Sequence, residues 1–315
     1  MGTDSGDADN LAGSADETGG APRSVRDTAA PAAEAGPGGR DELRTERRTV
    51  FAMGTVFSFV LVVSASGAGD LQLERAEALL HQLDRLLTTY DPSSPMSRVR
   101  EGSLALVDAP HEIAEVLQAC ARARRISRGW FDPWSMPGGC DPTGLVKGWA
   151  VEAVLRLFDV PGVGGVLVNG GGDIACRGEP APGERWRVGL RHPWRADAFA
   201  GVVTLDHAIA TSGTYERPGQ LIHPGTGAAT AAAVQASVTG PDLALADALA
   251  TALAVAGDDL LPDVAALDGY EAHLIRPDGT ETATPGFPFT SAGLVDGADS
   301  PDGSDTLLPG REARS

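Results

Sequence analysis

The alternation of apolar and polar positions predicts strands and amphipathic helices along the middle of the chain. Residues 51–65 roughly alternate apolar with small or polar side chains, which predicts a first strand. Leucines and alanines recur at helical spacing over residues 70–87, which predicts an amphipathic helix. Two further helices are predicted over residues 111–127 and 144–158.

The following region combines pairs of strands with one apolar helix. Residues 164–178 predict two strands joined by a Gly-rich turn, and residues 186–193 and 200–211 predict a strand each. A short strand and an apolar helix are predicted over residues 236–257, followed by a hairpin that turns at Asp278-Gly279. Because long helices alternate with antiparallel-looking strand pairs, the pattern favours an α+β fold over a doubly wound sheet.

Both ends of the chain differ in composition from this middle region. Residues 1–48 and 289–315 are rich in small and acidic residues, so they are predicted to be disordered tails around one domain, residues 49–288. Within that domain, Pro and Gly predict loops around residues 94–97 and over residues 130–143.

The charge of the chain limits its partners. The 315 residues carry a formal charge of −18, which argues against a nucleic-acid binder and against insertion into an anionic membrane surface. A highly anionic ligand would need a metal ion or oriented backbone N–H groups. Three cysteines without C-x-x-C spacing indicate neither a disulfide framework nor a cysteine zinc site.

The location of the protein is predicted to be cytoplasmic. No charged and apolar leader is visible, and no apolar run approaches the ~20 residues of a membrane span. Arg47-Arg48 before the first apolar stretch imitate a twin-arginine signal. A strand is favoured there, because Gly54, Thr55 and Ser58 interrupt the apolar run.

Lys147 is the most unusual basic residue of the sequence, because it is the only lysine among 25 basic residues. It follows Asp141 by six positions, near the predicted start of a helix, where a cation opposes the helix dipole. A ligand phosphate would offset that cost. The alternative is a salt bridge at the surface.

Two other segments carry weaker signals. Asn169-Gly-Gly-Gly-Asp173 permits close approach of the backbone to a ligand, although a tight hairpin has the same composition. The segments 210–217 and 221–227 concentrate hydroxyl groups around His223. A lone histidine is more often structural than catalytic.

Asp247 and Thr251 form a candidate metal site. They are four residues apart, so they lie on one face of a helix that is otherwise built of Ala, Leu and Val. A carboxylate in such a helix is costly unless it is paired or binds a cation. Carboxylate and hydroxyl oxygens suit Mg²⁺, while a helix cap or an exposed edge is the structural alternative.

Eight short segments, taken in order, resemble one known family. They are Met53 to Thr55, Thr89 to Ser94, Phe131 to Pro133, Asp141 to Ala150, Asn169 to Asp173, Ala210 to Arg217, Pro224 to Gly227 and Ala246 to Thr251. Together they resemble the FAD:protein FMN transferase family, also called ApbE. The resemblance extends over about residues 50–285, which is nearly the whole predicted domain.

The resemblance implies a fold, an activity and a set of site residues. It implies a T-fold-related α+β architecture with mixed, largely antiparallel sheets and packed helices. Such enzymes bind FAD with Mg²⁺, cleave the diphosphate, attach FMN by a phosphoester to a Thr or Ser of a client flavoprotein, and release AMP. By position, the implied metal ligands are the Gly144 carbonyl, Asp247 and Thr251. The implied FAD site consists of Met53, Tyr90, Trp130, Phe131, Asp132, Asp141, Lys147 and Leu221, with Tyr90 and Phe131 offering ring faces.

The catalytic candidates are Asp247 and His223, and two departures from the family pattern affect the second. Gln220 stands where the family usually has a histidine, and His223 stands where it usually has an aspartate. Two alternatives therefore accompany the transferase interpretation. One is an FAD pyrophosphatase that forms FMN and AMP, and the other is a catalytically impaired flavin-binding protein.

Overall fold

The computed structural model describes residues 43–65, 67, 69–214 and 221–290. The strands in these residues are β1 Leu43–Ala52, β2 Thr55–Ser64, β3 Val163–Gly170, β4 Asp173–Gly178, β5 Trp186–Arg191, β6 Phe199–Leu205, β7 Ala208–Gly213, β8 Gln235–Gly240, β9 Glu271–Ile275 and β10 Glu281–Ala283. The α-helices are α1 Gly69–Leu87, α2 Pro95–Arg100, α3 His111–Ile126, α4 Thr143–Leu155, α5 Leu243–Ala256 and α6 Leu261–Ala265.

One large sheet organises these elements. Its eight strands follow the order β1-β2-β3-β4-β7-β8-β9-β10, and every neighbouring pair is antiparallel. Strands β5 and β6 form a separate antiparallel pair. The α+β prediction is therefore confirmed.

The large sheet is covered differently on its two faces. Phe57, Phe59 and Leu61 of β2 belong to the core on one face, where α1, α4 and α5 pack against the strands. Val60 and Val62 alternate with them and join a smaller core with apolar residues of β5 and β6 on the other face. Because β2 is covered on both sides, its apolar residues run without interruption from Phe59 to Val63.

Most of the predicted elements are confirmed. The helices predicted from residues 70, 111 and 144 correspond to α1, α3 and α4, with a 3₁₀ turn at Arg156–Phe158 after α4. The Gly-rich turn between β3 and β4, the strand and helix β8–α5, and the final hairpin also form. Within the described residues, no helix is long and apolar enough to cross a membrane.

The prediction for the first strand was wrong in extent. Residues 43–64 form a hairpin, β1–β2, which turns at Met53-Gly54, so residues 43–48 belong to a strand and not to a disordered tail. β1 is an edge strand with charged side chains such as Arg44 and Arg47. Its first residues therefore lack the apolar content from which a strand is predicted. Met53 takes a positive φ of 53°, a conformation typical of Gly, Asn and Asp. A methionine at this position therefore does not indicate a turn.

Three smaller predictions also differ from the structure. Residues 95–100 form helix α2, capped by the Ser94 side chain, where a loop was predicted. Residues 200–211 contain most of β6 and the start of β7, separated at Asp206-His207. At the other end, Thr290 N–H donates to the Val202 carbonyl, so the ordered chain continues past residue 288. The predictions for residues 1–42, 215–220 and 291–315 lie outside the described residues.

Candidate active site

Lys147 contacts two buried carboxylates. Its ammonium group forms an ion pair with Asp173 and lies 3.6 Å from Oδ2 of Asp247. Each aspartate is only 1% exposed, whereas the Lys147 side chain is 31% exposed. The lysine is thus in a salt bridge, as one interpretation of the sequence held, but its partners are interior carboxylates and not surface ones.

The Gly-rich turn between β3 and β4 positions Asp173. Gly171 and Gly172 take φ values of +67° and +104°, which residues with a side chain rarely adopt, and Gly172 N–H donates to Oδ1 of Asn169 at 2.8 Å. Asp173 begins β4 directly after this turn, and its Oδ1 accepts the N–H of Thr211 from β7 at 3.2 Å. The turn therefore forms a hairpin and also directs a carboxylate toward Lys147.

Close packing of α4 on α5 positions Asp247. A Cβ on Gly148 would lie 2.6 Å from the Leu243 carbonyl oxygen, so only glycine permits the two helices to approach this closely. The Gly148 N–H donates to Oδ2 of Asp247 at 3.1 Å. The usual helical acceptor of that N–H is the Gly144 carbonyl, so the two predicted oxygen ligands lie next to the same amide group.

Thr251 lies one helical turn beyond Asp247 and faces Gly144. A Cβ on Gly144 would lie 3.4 Å from Oγ1 of Thr251. The same hydroxyl lies 3.0 Å from Oγ of Ser212 on β7. The structure therefore brings together Gly144, Lys147, Asp247 and Thr251, all of which the sequence singled out.

These groups fit Mg²⁺ in chemical type. Carboxylate, hydroxyl and carbonyl oxygens are the ligands that this hard cation prefers. In the described part of the chain, no group of three or more His, Cys, Asp or Glu side chains could hold a metal ion. A metal at Asp247 would therefore depend on neutral oxygens such as those of Thr251 and Gly144.

Phe131 differs from the expectation of an open ring face. Its side chain is 5% exposed, and its Cε2 lies 3.2 Å from the Cβ position of Gly144. The ring thus packs against the start of α4 at Gly144. Leu221 is also buried, whereas Tyr90 is 80% exposed and remains available for stacking.

A second group of predicted residues surrounds the segment after α3. The Trp130 ring lies 5.2 Å from the His223 ring in an edge-to-face contact. Nδ1 of His223 accepts the Gly225 N–H at 3.0 Å, which ties the imidazole into its own turn. Trp130, Arg128 and Asp259 line an open surface depression of about 610 Å³.

The remaining predicted residues have local structural partners. Asp132 forms an ion pair with Arg124 at 2.8 Å, and Oδ1 of Asp141 accepts the Thr143 N–H at 3.1 Å at the start of α4. The Met53 N–H donates to Asp84 of α1 at 2.9 Å. These contacts place Asp141 at the beginning of the helix that carries Lys147, and they fix Met53 in the β1–β2 turn.

The sequence interpretation gave no site role to three residues that the structure connects to the centre. Asp173 pairs with Lys147, Ser212 contacts Thr251, and Oε1 of Glu152 accepts the Leu243 N–H at 2.5 Å at the start of α5. Burial, with the nearby Asp242 carboxylate, raises the pKa of Glu152 to about 7. The position of Asp173 at the end of the Gly-rich segment was the sequence signal that could have identified it.

Comparison with known proteins assigns this chain to a family. The sequence model of the ApbE family matches residues 53–138 and 139–274. The chain therefore belongs to the ApbE family, and the resemblance stated from the short segments is confirmed.

Curated relatives match over part of their length. The chain is 36% identical over 151 residues to the FAD:protein FMN transferase of Rhodobacter capsulatus, which covers 44% of this chain and 28% of the relative. It is 31% identical over 144 residues to that of Salmonella typhimurium, covering 42% of this chain and 41% of the relative. The matched stretches thus span less than half of these relatives.

Solved structures support the fold over a longer stretch. The flavin transferase ApbE from Vibrio cholerae superposes with a TM-score of 0.66 at 20% identity, covering 78% of this chain and 99% of that one. The ApbE protein from Thermotoga maritima gives a TM-score of 0.66 at 20% identity, with 77% and 98% covered. At this level of identity the likeness establishes the architecture alone.

Proposed function

We propose that this protein is a Mg²⁺-dependent FAD:protein FMN transferase. It would cleave FAD, attach FMN through a phosphoester to a Thr or Ser of a client flavoprotein, and release AMP. The observation that carries the proposal is the convergence of Lys147, Asp247 and Thr251 at one site of an ApbE-family domain. The names of the curated relatives support the same reaction.

The charges of the site suit a diphosphate substrate only with a metal ion. Among the described residues, two buried carboxylates face one ammonium group, so their charges sum to a negative value that would repel FAD. The Gly144 carbonyl, Asp247 and Thr251 would hold Mg²⁺, which supplies neutralisation of phosphate charge and stabilises the departing AMP. Lys147 would donate a hydrogen bond to a phosphate oxygen from the partly exposed side.

The remaining predicted residues would bind the rest of FAD. Tyr90 is exposed and Trp130 is half-buried, so both rings keep some accessible surface for stacking with flavin or adenine. Met53, Phe131 and Leu221 would shape the site through packing. Asp132 and Asp141 would hold the segments on either side of residues 133–140, because both carboxylates accept backbone N–H groups.

The hydrogen bonding of His223 bears on which group accepts the proton of the client hydroxyl. In the reaction, the client hydroxyl attacks the FMN phosphorus, the bond to the AMP phosphate breaks, and the hydroxyl proton passes to a base. Because Nδ1 of His223 accepts the Gly225 N–H, a neutral ring carries its proton on Nε2 and donates from there. Gln220, at the usual histidine position, lies outside the described residues.

A labelling assay tests the proposed function. The protein is incubated with FAD, Mg²⁺ and a Thr-containing client, and the client is examined for covalent fluorescence. A fluorescent client supports transfer, whereas FMN and AMP without labelling would indicate the FAD pyrophosphatase. Bound but unchanged FAD would indicate the impaired flavin-binding protein. Asp206→Asn is a control variant that should label the client as wild type does, because it removes an exposed carboxylate paired with Arg185.

The cytoplasmic location of the protein, which the sequence predicts, stays a prediction.

A further inference from the structure

The two aspartates around Lys147 hold its ammonium group unequally. Asp173 makes a direct ion pair, whereas Oδ2 of Asp247 lies 3.6 Å from the same nitrogen. Both carboxylates are buried, so each has a strong electrostatic demand for a positive partner. The position of one ammonium group therefore depends on the balance between them.

That balance affects any metal ion that binds Asp247. An ammonium group and a divalent cation compete for one carboxylate, and two cations close together repel each other. If Lys147 paired fully with Asp247, it would oppose metal binding there. A second carboxylate that holds the ammonium group to one side reduces this competition.

We propose that Asp173 is a positioning residue that anchors Lys147 beside Asp247 and thereby limits the competition of the lysine with Mg²⁺. This inference rests on the metal site of the proposed function. Asp173 acts through Lys147.

The geometry of Asp173 suits an anchor. One carboxylate oxygen accepts the Thr211 N–H of the neighbouring strand, and the other faces Lys147. The Gly-rich turn directly before it and the β4–β7 pairing restrain its backbone. A compact ammonium group also suits a position between two carboxylates better than a planar guanidinium group does, which gives a reason for lysine in a chain that otherwise uses arginine.

Metal affinity without FAD tests the proposal directly. Mn²⁺ serves as the probe, and free Mn²⁺ is measured by electron paramagnetic resonance during titration of the full chain, with Mg²⁺ as competitor. Asp173→Asn keeps the size of the side chain and an acceptor for Thr211, but it removes the charge that holds Lys147. We expect it to weaken metal binding about tenfold. Asp173→Glu keeps the charge and should stay within about threefold of wild type.

The double variant Lys147→Met/Asp173→Asn, compared with the single variant Lys147→Met, distinguishes positioning from a general effect of charge. If Asp173 acts through Lys147, Asp173→Asn should not change metal affinity once the ammonium group is absent, so the two variants should bind Mn²⁺ within about threefold of each other. A general loss of negative charge would instead weaken metal binding about tenfold in the Lys147→Met background as well. Asp206→Asn controls for loss of a distant carboxylate and should bind Mn²⁺ as wild type does.

The outcomes separate this inference from the proposed function. If wild type binds Mn²⁺ and Asp173→Asn binds it equally well, the positioning role is overturned while the metal site stands. If wild type and Asp247→Asn bind Mn²⁺ alike, both proposals are wrong. Should Asp173→Asn fail to fold by circular dichroism, the double variant decides by comparison with Lys147→Met: affinity well below that of Lys147→Met overturns the anchor, and equal affinity supports it.

Discussion

Thr211 and Ser212 are neighbours on β7, yet their side chains contact different surroundings on opposite faces of the large sheet. Ser212 contacts Thr251 of α5 on the face covered by helices, where Lys147 and the two aspartates also lie. Thr211 contacts Ser237 of β8 at 2.9 Å on the other face. The pleat of one strand thus separates an ionic centre from a neutral polar strip.

The two faces differ in how their polar groups are satisfied. On the helix face, Asp173 accepts a backbone N–H from β7 and Asp247 accepts one from α4. On the other face, both amide atoms of Gln235 and Nδ1 of His273 are buried without a hydrogen-bond partner in the described part of the chain. Buried charge is found where strands and helices offer donors, which is a requirement of a low-dielectric interior.

Removal of Asp247 should have the largest effect. Asp247→Ala deletes the only carboxylate among the proposed metal ligands, so metal-dependent consumption of FAD should fall about a hundredfold or more. The measurement is release of AMP at saturating Mg²⁺. Ser237→Ala, on the opposite face, should stay within about threefold of wild type; equal losses in both variants would contradict the division between the faces.

Gly148→Ala should weaken the contact between α4 and α5 on the helix face. The new methyl group would lie 2.6 Å from the Leu243 carbonyl oxygen, so the helices must separate, at a cost of about 2–3 kcal/mol in the free energy of unfolding. Urea denaturation measures this loss. Gly164→Ala is the control, because its nearest contact would be an ordinary 3.7 Å, and it should change stability by less than about 1 kcal/mol.

Glu152 makes the stability of the helix face depend on pH. Its pKa is raised to about 7 from 4.5, so the folded protein holds this proton more tightly than the unfolded chain does. The resulting stabilisation is complete below pH 4.5 and disappears as the pH rises to 7. Glu152→Gln keeps an acceptor for Leu243 and removes this loss, so at pH 8 it should exceed wild type by about 2 kcal/mol more than at pH 5.

The control for Glu152 is Glu74→Gln on the exposed side of α1. Both variants are measured by urea denaturation at pH 5 and pH 8, and the change with pH for Glu152→Gln is compared with that for Glu74→Gln. Equal changes would show that the buried carboxyl group does not bind its proton as the structure indicates.

Gln235→Met tests the neutral face. Methionine has a similar volume and removes two buried atoms without hydrogen bonds, so we expect stabilisation of about 1 kcal/mol. Ser237→Ala should act in the opposite direction by about 1 kcal/mol, because it removes the side-chain partner of the Thr211 hydroxyl. Thermal denaturation distinguishes the two signs, and destabilisation by Gln235→Met would mean that its amide is bonded.

His223→Asp should have the smallest effect. A carboxylate at this position can also accept the N–H two residues later, so the turn should keep its stability within about 0.5 kcal/mol. Transfer to the client should remain within about threefold of wild type if His223 mainly orders its turn. A hundredfold loss with an intact fold would instead identify His223 as the proton-transfer group.

The sequence predicted the centre better where its partners are close in the chain. Asp247 and Thr251 share a helix, so spacing alone placed them on one face. The ion pair of Lys147 with Asp173 joins residues 26 apart, and the bond from Gly148 to Asp247 joins residues 99 apart. Local sequence patterns do not reveal contacts between residues so far apart, so the sequence did not predict the partners of Lys147.

The same distinction applies to the fold. Periodicity predicted α1, α3, α4 and α5, because each buries an apolar surface at a regular spacing. It missed the extent of β1, whose exposed edge lowers its apolar content. The open ring face of Phe131 was implied by the family resemblance, and the structure buries this ring, because burial depends on which elements pack around it.

The sequence by itself determined the α+β class, the family and most residues of the centre, since helical and strand periods and short motifs are properties of neighbouring residues. Only the tertiary structure decided that the single lysine is shared by two buried carboxylates. That outcome depends on the close packing of α4 on α5 and on the turn before β4, which bring distant charges together in an interior where each requires a partner.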